Sequence, residues 1–155
     1  MVPLMSFWPS VYNNIISQKK LFEYRRSFPK DCTYAYMYIS KPVKAVCGII
    51  YFGKKYSIED WKKIYSGDEI IMKRIEQYSK SYRYAMEIKA IQKIQPITLE
   101  KLRQNIEGFT APQSYLLLEN NAELREYLMN EIKIEGELIE NNLEDLFPEH
   151  VCLSY

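Results

Sequence analysis

Apolar and polar positions at the start of the chain predict a strand, a helix and a second strand within about 30 residues. Val2 to Phe7 is a short, mostly apolar run, as expected for a buried strand. Pro9 suits the first turn of the helix that follows, where its missing N–H costs nothing. The helix is predicted from one apolar stripe at helical spacing, formed by Trp8, Val11, Tyr12, Ile15 and Ile16.

The second strand is predicted from the alternation between Lys20 and Arg26. Side chains of a strand alternate between its two faces, so Glu23 and Arg25 share one face, with Cα atoms roughly 7 Å apart. With Lys20 at the start of the strand, this face can receive a polar ligand. A salt-bridged face exposed to solvent is an equally good interpretation of these residues alone.

Hydrophobic periodicity continues along the rest of the chain. It predicts strands over 33–40, 43–52, 82–94 and 115–118, with Gly53 to Lys55 ending the second of them. Two short helices are predicted to begin near Ser57 and Asp68, and a third after Pro96 and Thr98, ending at Gly108. Beyond residue 118, two narrow apolar stripes predict two further helices, the second over 138–147.

Three segments of the chain resemble the signature of ASCH domains, which are small PUA-like β-barrels. The first comprises residues 4–9 (LMSFWP), 15–20 (IISQKK) and 23–26 (EYRR). The second is 38–48 (YISKPVKAVCG) and the third is 111–115 (APQSY). The segments occur in the family's order, but Gln18 stands where the family pattern has a glycine.

The resemblance implies an α+β fold, a PUA-like (ASCH) mixed β-barrel with an N-terminal helix and helical insertions. We expect residues 1–118 to form this barrel domain. Residues 119–155 lie outside the resemblance and are expected to form an acidic helical C-terminal extension packed on the barrel.

The resemblance further implies a cleft between the first helix and the barrel wall, which would bind RNA or a nucleotide. The expected lining residues are Ser6, Trp8, Lys20, Glu23, Tyr24, Arg25, Ser40, Lys41, Gln113 and Ser114. Arg25 or Lys20 would engage phosphate, and Gln113 can read the edge of a base. Tyr24 is a candidate for stacking on a base, although packing in the barrel is the better interpretation of the tyrosines. The helical stripe likewise places Trp8 in the core.

No residue is assigned a catalytic role. Some PUA-like relatives are amidohydrolases with a Lys and a nucleophilic Thr in this segment, but Glu23 stands at the Thr position. Without a hydroxyl nucleophile, that mechanism does not carry over. A carboxylate flanked by Lys20 and Arg25 is better suited to accept a proton than to donate one. A nuclease or nucleotide hydrolase using the same cleft therefore remains an alternative.

The net charge of +1 conceals a division along the chain. Residues 1–118 carry 19 basic and 10 acidic side chains, whereas 119–155 carry 2 basic and 10 acidic ones. A basic body favours a polyanionic partner, because Lys and Arg displace counterions from phosphates. The acidic segment 119–155 is an alternative interaction surface, for a protein partner or for a second copy of the chain.

Other classes of function find little support in the sequence. The three cysteines lack CxxC spacing and His150 is the only histidine, so neither a metal site nor a cofactor is predicted. No apolar run is long enough to span a bilayer, and no secretion signal is evident at the start. We therefore expect a cytoplasmic protein without a membrane partner.

Overall fold

The central feature of the fold, in a computed structural model that describes residues 1–155, is a curled mixed sheet surrounded by five helices. The strands are β1 (Pro3–Phe7), β2 (Phe22–Arg25), β3 (Tyr34–Ile39), β4 (Ala45–Ser57), β5 (Tyr84–Thr98), β6 (Tyr115–Leu117) and β7 (Ile139–Glu140). The helices are α1 (Pro9–Ile16), α2 (Ile58–Ile64), α3 (Glu69–Ser79), α4 (Leu99–Asn105) and α5 (Ala122–Glu131). The predicted α+β class is confirmed, and the predicted mixed β-barrel takes the form of a half-barrel.

The strands follow the order β2-β5-β4-β3-β1-β6, and β7 also pairs with β5. β1 and β3 are parallel, and the remaining pairs are antiparallel. β2 and β6 are therefore the two ends of this path, and no ladder joins them. The sheet is a half-barrel, with an open side between its first and last strands.

The two longest strands extend beyond their predicted limits. β4 continues through Gly53 to Ser57 because the carboxylate of Glu87 on β5 holds the irregular segment, accepting hydrogen bonds from the Lys54 N–H (3.0 Å) and the Tyr56 hydroxyl (2.7 Å). A Cβ at Gly53 would lie 2.6 Å from that carboxylate, so glycine permits this approach. β5 likewise includes Pro96, which lies where the register with β4 shifts and not at a helix start.

Three apolar clusters pack on the sheet and position the surrounding elements. One lies under α1 and includes Met5, Phe7 and Ile15. The second lies under α4 and α5 and includes Leu102 and Leu128. The third joins β2 to α2, α3 and the end of the chain, through Phe22, Trp61, Ile75, Leu146 and Val151.

Trp8 does not lie in the core, so the prediction from the helical stripe is wrong on this residue. α1 begins at Pro9, and Trp8 precedes it in an extended conformation. The side chain therefore does not follow the apolar stripe of α1 and is 73% exposed. Ile15 is the stripe residue that the fold buries completely.

The second C-terminal helix is also absent from the fold. Residues 139–140 form β7, and the Asn141 backbone and side-chain amides continue along β5 by donating to the carbonyls of Lys89 and Ile88. Asn142 then accepts a hydrogen bond from the Glu144 N–H, an Asx-type turn. Asn side chains that bind nearby backbone groups compete with helix formation, and here they prevail over the apolar stripe.

Candidate functional site

A cavity of about 760 Å³ opens between α1, β2 and the loop that precedes β6. Eight of the ten predicted site residues line it, namely Ser6, Trp8, Lys20, Glu23, Tyr24, Arg25, Gln113 and Ser114. Ser40 and Lys41 do not line the cavity, because they lie in the turn between β3 and β4. The structure thus brings together the first and last of the three signature segments and leaves the middle one outside.

The Arg25 guanidinium closes the open side of the half-barrel at this cavity. Its Nη2 donates to the Ser6 carbonyl at 2.6 Å, and its Nη1 donates to the carbonyl (3.1 Å) and hydroxyl (3.3 Å) of Ser114. The guanidinium also lies over the Phe7 ring, 4.9 Å from its centroid. Arg25 belongs to β2 and Ser114 precedes β6, so this side chain joins the two ends of the sheet. It is committed to protein contacts rather than to a ligand.

Glu23 lies between two cations, of which the strand alternation predicts Arg25 and not Lys20, which precedes β2. Its Oε1 is 3.4 Å from the Lys20 Nζ, and its Oε2 is 3.2 Å from the Arg25 Nη2. The residue is only 4% exposed, and its Oε1 also accepts a hydrogen bond from the Tyr24 N–H. A carboxylate removed from water in this way needs such partners, since an unpaired buried charge is strongly destabilising.

Lys20 differs from Arg25 in having donors to spare. Its ammonium group makes the ion pair with Glu23 and lies 5.2 Å from the centroid of the Tyr24 ring, but it donates no other hydrogen bond within the chain. An ammonium has three N–H donors. Lys20 therefore has N–H donors available to a ligand.

Tyr24 is a packing residue and not an open stacking surface. It is 5% exposed, and its ring contacts those of Tyr78 (4.7 Å between centroids) and Trp61 (6.4 Å). Its hydroxyl donates to the His150 carbonyl and accepts from the Cys152 N–H. Burial raises the pKa of this phenol well above its ordinary value, so the hydroxyl keeps its proton and its role as donor.

Sequence reasoning missed one wall of the cavity. This wall comes from the end of α3, the loop after it and the last residues of the chain, and consists of Gln77, Tyr78, Ser81, Tyr82, Ser154 and Tyr155. The Tyr78 hydroxyl donates to the Leu153 carbonyl at 2.7 Å and so attaches the end of the chain to α3. The only sequence signal for this wall is the aromatic and polar composition of residues 78–82. No periodicity in the sequence indicates that this segment lies beside β2.

Three further lining residues were also missed. Ser10 and Asn14 on α1 contribute uncharged polar groups, and Arg26 contributes a third cation beside Lys20 and Arg25. Glu23 is the only acidic side chain in the lining.

No cluster of His, Cys, Asp and Glu suited to a metal ion is found in the chain. None of the helices combines the length and apolar composition that a bilayer span requires.

This fold has counterparts among known proteins, although no protein-family model matches the chain. Crystal structures of ZmASCH from Zymomonas mobilis and of two of its point mutants have TM-scores of 0.60, 0.63 and 0.63 at 24% identity. The matches cover 85% of this chain and 96 to 99% of those chains. The fold is thus that of ASCH half-barrels.

Sequence similarity then identifies the family. An ASCH domain-containing ribonuclease from Zymomonas mobilis is 31% identical over 121 residues, which are 72% of this chain and 80% of the relative. The chain belongs to the ASCH domain family, and the predicted resemblance is confirmed.

Proposed function

We propose that this chain binds RNA in the cavity beside α1 and that Lys20 engages a phosphate there. The observation that carries the proposal is the ammonium of Lys20, which is paired with Glu23 but makes no other hydrogen bond within the chain, in a cavity lined by three cationic side chains and one carboxylate. A phosphate can take the donors that Lys20 leaves free. The similarity to a protein named as a ribonuclease supports RNA as the polyanion.

Two exposed side chains at the cavity supply groups that suit a base. Trp8 is largely exposed and its indole makes no hydrogen bond within the chain, so the ring can stack on a base. Gln113 is also exposed and has no partner for its amide, which offers both donors and an acceptor. Trp8 thus takes the stacking role that the buried Tyr24 cannot fill, and Gln113 keeps its predicted role at the edge of a base.

Replacing Lys20 by Ala tests the phosphate contact. We expect the affinity for a fluorescently labelled single-stranded RNA, measured by anisotropy, to fall roughly ten-fold. The slope of log affinity against log salt concentration should decrease by about 0.7, the value for one phosphate contact on a single strand. Lys19→Ala is the matched control, because Lys19 is adjacent, exposed and outside the cavity lining.

The control separates this proposal from general electrostatic attraction. If Lys19→Ala and Lys20→Ala weaken binding equally, the basic surface attracts RNA and the cavity does not bind it. If neither variant differs from the parent, Lys20 makes no phosphate contact. Thermal unfolding of Lys20→Ala should accompany the measurement, because the variant leaves Glu23 with one cationic partner fewer.

Cleavage of the bound RNA is a second candidate function, favoured by the relative at 31% identity, which is named as a ribonuclease. Attack of a ribose 2′-hydroxyl on the neighbouring phosphorus forms a 2′,3′-cyclic phosphate and breaks the bond to the 5′-oxygen, which leaves as a hydroxyl after taking a proton from water. This step requires a base for the 2′-hydroxyl proton and a cation for the developing charge. Glu23 and Lys20, 3.4 Å apart, provide one group of each kind.

Glu23→Gln tests this second candidate on the same RNA. We expect the parent to shorten the strand on a denaturing gel and the variant to bind it but leave it intact, because an amide cannot accept the hydroxyl proton. If the variant cleaves at the parent rate, Glu23 is not the base. If the parent leaves the RNA intact, binding without cleavage is the function of the cavity.

A further inference from the structure

A second cavity of about 400 Å³ adjoins the first on the other side of Tyr82. It lies between the start of α2, the end of α3 and the start of β5, and its lining includes Glu59, Lys62, Ser79 and Arg83. Tyr82 lines both cavities. Neither the family resemblance nor the proposed phosphate contact at Lys20 assigns any role to this second cavity.

We propose that a single RNA strand continues from the first cavity across Tyr82 into the second, where Arg83 binds a further phosphate. The inference rests on the proposed RNA binding and extends it from one nucleotide to a strand. Tyr82 separates two neighbouring subsites in this arrangement, and its ring stacks on a base at the crossing.

Tyr82 has the surroundings of a stacking residue. Its ring is held against those of Tyr78 (5.8 Å between centroids) and Tyr24 (6.1 Å), yet the residue remains 38% exposed. Its hydroxyl makes no hydrogen bond within the chain. An aromatic ring that is supported from behind and open in front offers a face to a base at little cost in conformational entropy.

Arg83 is a free cation on a fixed backbone. Its N–H donates to the Arg25 carbonyl (3.2 Å) and its carbonyl accepts from the Ile58 N–H (2.9 Å). Its side chain is exposed and makes neither a hydrogen bond nor an ion pair within the chain. The five guanidinium donors are therefore available to a phosphate at the second cavity.

The remaining charges favour the same path. Glu59 would repel a phosphate in the second cavity, but it is paired with Lys62 at 3.6 Å. Arg26, which lines the first cavity, donates to the carbonyl of Ser81, the residue before Tyr82, at 3.1 Å. Basic side chains thus lie in the first cavity, in contact with the segment that leads to Tyr82, and in the second cavity.

Strand length and two substitutions test the inference. The probes are uridine monophosphate and a single-stranded oligouridylate of about six nucleotides, a typical length for such a site. We expect Arg83→Ala to weaken binding of the oligouridylate about five-fold or more and to lower its salt slope by about 0.7. Binding of the mononucleotide, which occupies the first cavity alone, should be unchanged.

The ring of Tyr82 is tested with two variants. Tyr82→Leu should weaken oligouridylate binding about ten-fold, whereas Tyr82→Phe should bind like the parent because it keeps the aromatic face. Lys63→Ala is the control, since this exposed lysine on α2 lines neither cavity. Thermal unfolding shows whether the leucine variant is folded, and Arg83→Ala provides a readout that does not depend on packing.

The outcomes distinguish this inference from the proposed function. If the parent binds the oligouridylate but Arg83→Ala and Tyr82→Leu bind it as Lys63→Ala does, the strand does not cross Tyr82, and RNA binding in the first cavity stands. An equal loss of affinity for the mononucleotide and the oligouridylate in Arg83→Ala likewise overturns the second subsite. If the parent binds neither probe, the proposed function itself fails.

Discussion

Arg25 shows how far a single side chain can depart from the role its type indicates. Beside Glu23 on a predicted strand, it is a natural phosphate ligand, and its removal would be expected to weaken binding without loss of fold. The structure instead directs its donors to Ser6, Glu23 and Ser114, and its Nε is buried without a partner. Its contribution is therefore to stability, by joining the ends of the sheet.

This role predicts a large effect of the conservative change Arg25→Lys. A lysine cannot reproduce the forked hydrogen bonds to Ser6 and Ser114. The buried carboxylate of Glu23 also loses the hydrogen bond that it accepts from Arg25. We expect the free energy of unfolding to fall by about 2–4 kcal/mol, measured by urea denaturation. Arg26→Lys, at an exposed arginine, is the control and should cost less than about 1 kcal/mol. Equal effects of the two changes would refute the bridging role.

At the scale of elements, the connection from α1 to β2 explains the glycine of the family pattern. Gln18 has a φ of 64°, in the left-handed region that glycine adopts without a steric cost. Its side chain donates to the Glu140 carbonyl (2.9 Å) and the Asn141 Oδ1 (3.1 Å), contacts that glycine could not make. The departure from the family pattern is thus coupled to β7 in the C-terminal segment.

The C-terminal segment 119–155 is proposed here to be structural cover for the half-barrel. β7 extends the β5 edge beside β2, and Leu146, Val151 and Cys152 are buried with β2 and α2. The predicted boundary at residue 118 and the alternative of a partner surface remain predictions. A segment that lends a strand to the sheet and side chains to the core favours the structural role.

Two leucines of this segment test that role. Leu146→Ala should lower the free energy of unfolding by about 2–4 kcal/mol, because it leaves a cavity beside Phe22 and Trp61. Leu138→Ala, at a leucine that is 45% exposed, should cost less than about 1 kcal/mol. The comparison is made by thermal or urea denaturation. If the two changes cost the same, the segment does not stabilise the half-barrel.

For the whole molecule, the open side of the half-barrel decides where the candidate site lies. β2 and β6 end the sheet without pairing with each other, and the cavity forms where α1, the Ser114 loop and Arg25 meet across that gap. The division of charge along the chain also affects the candidate site. Cations from 1–118 line both cavities, whereas most of the acidic side chains of 119–155 are exposed.

The sequence by itself determined the features that depend on local periodicity and on a family pattern. These include the α+β class, the existence of most strands and helices, the shared face of Glu23 and Arg25, and eight of the nineteen residues that line the cavity. Strand alternation and helical spacing are properties of neighbouring residues, so they can be read from the chain directly.

Only the tertiary structure decided which of those residues are free to act. Arg25 and Lys20 look equivalent as cations in the sequence, but long-range contacts occupy one and leave the other available. Tyr82 and Arg83 became candidates because β5 begins beside β2 and α2. In the C-terminal segment, a short strand on β5 replaced part of the predicted second helix. Pairings between segments far apart in the chain are set by the packing of the whole, which no local pattern records.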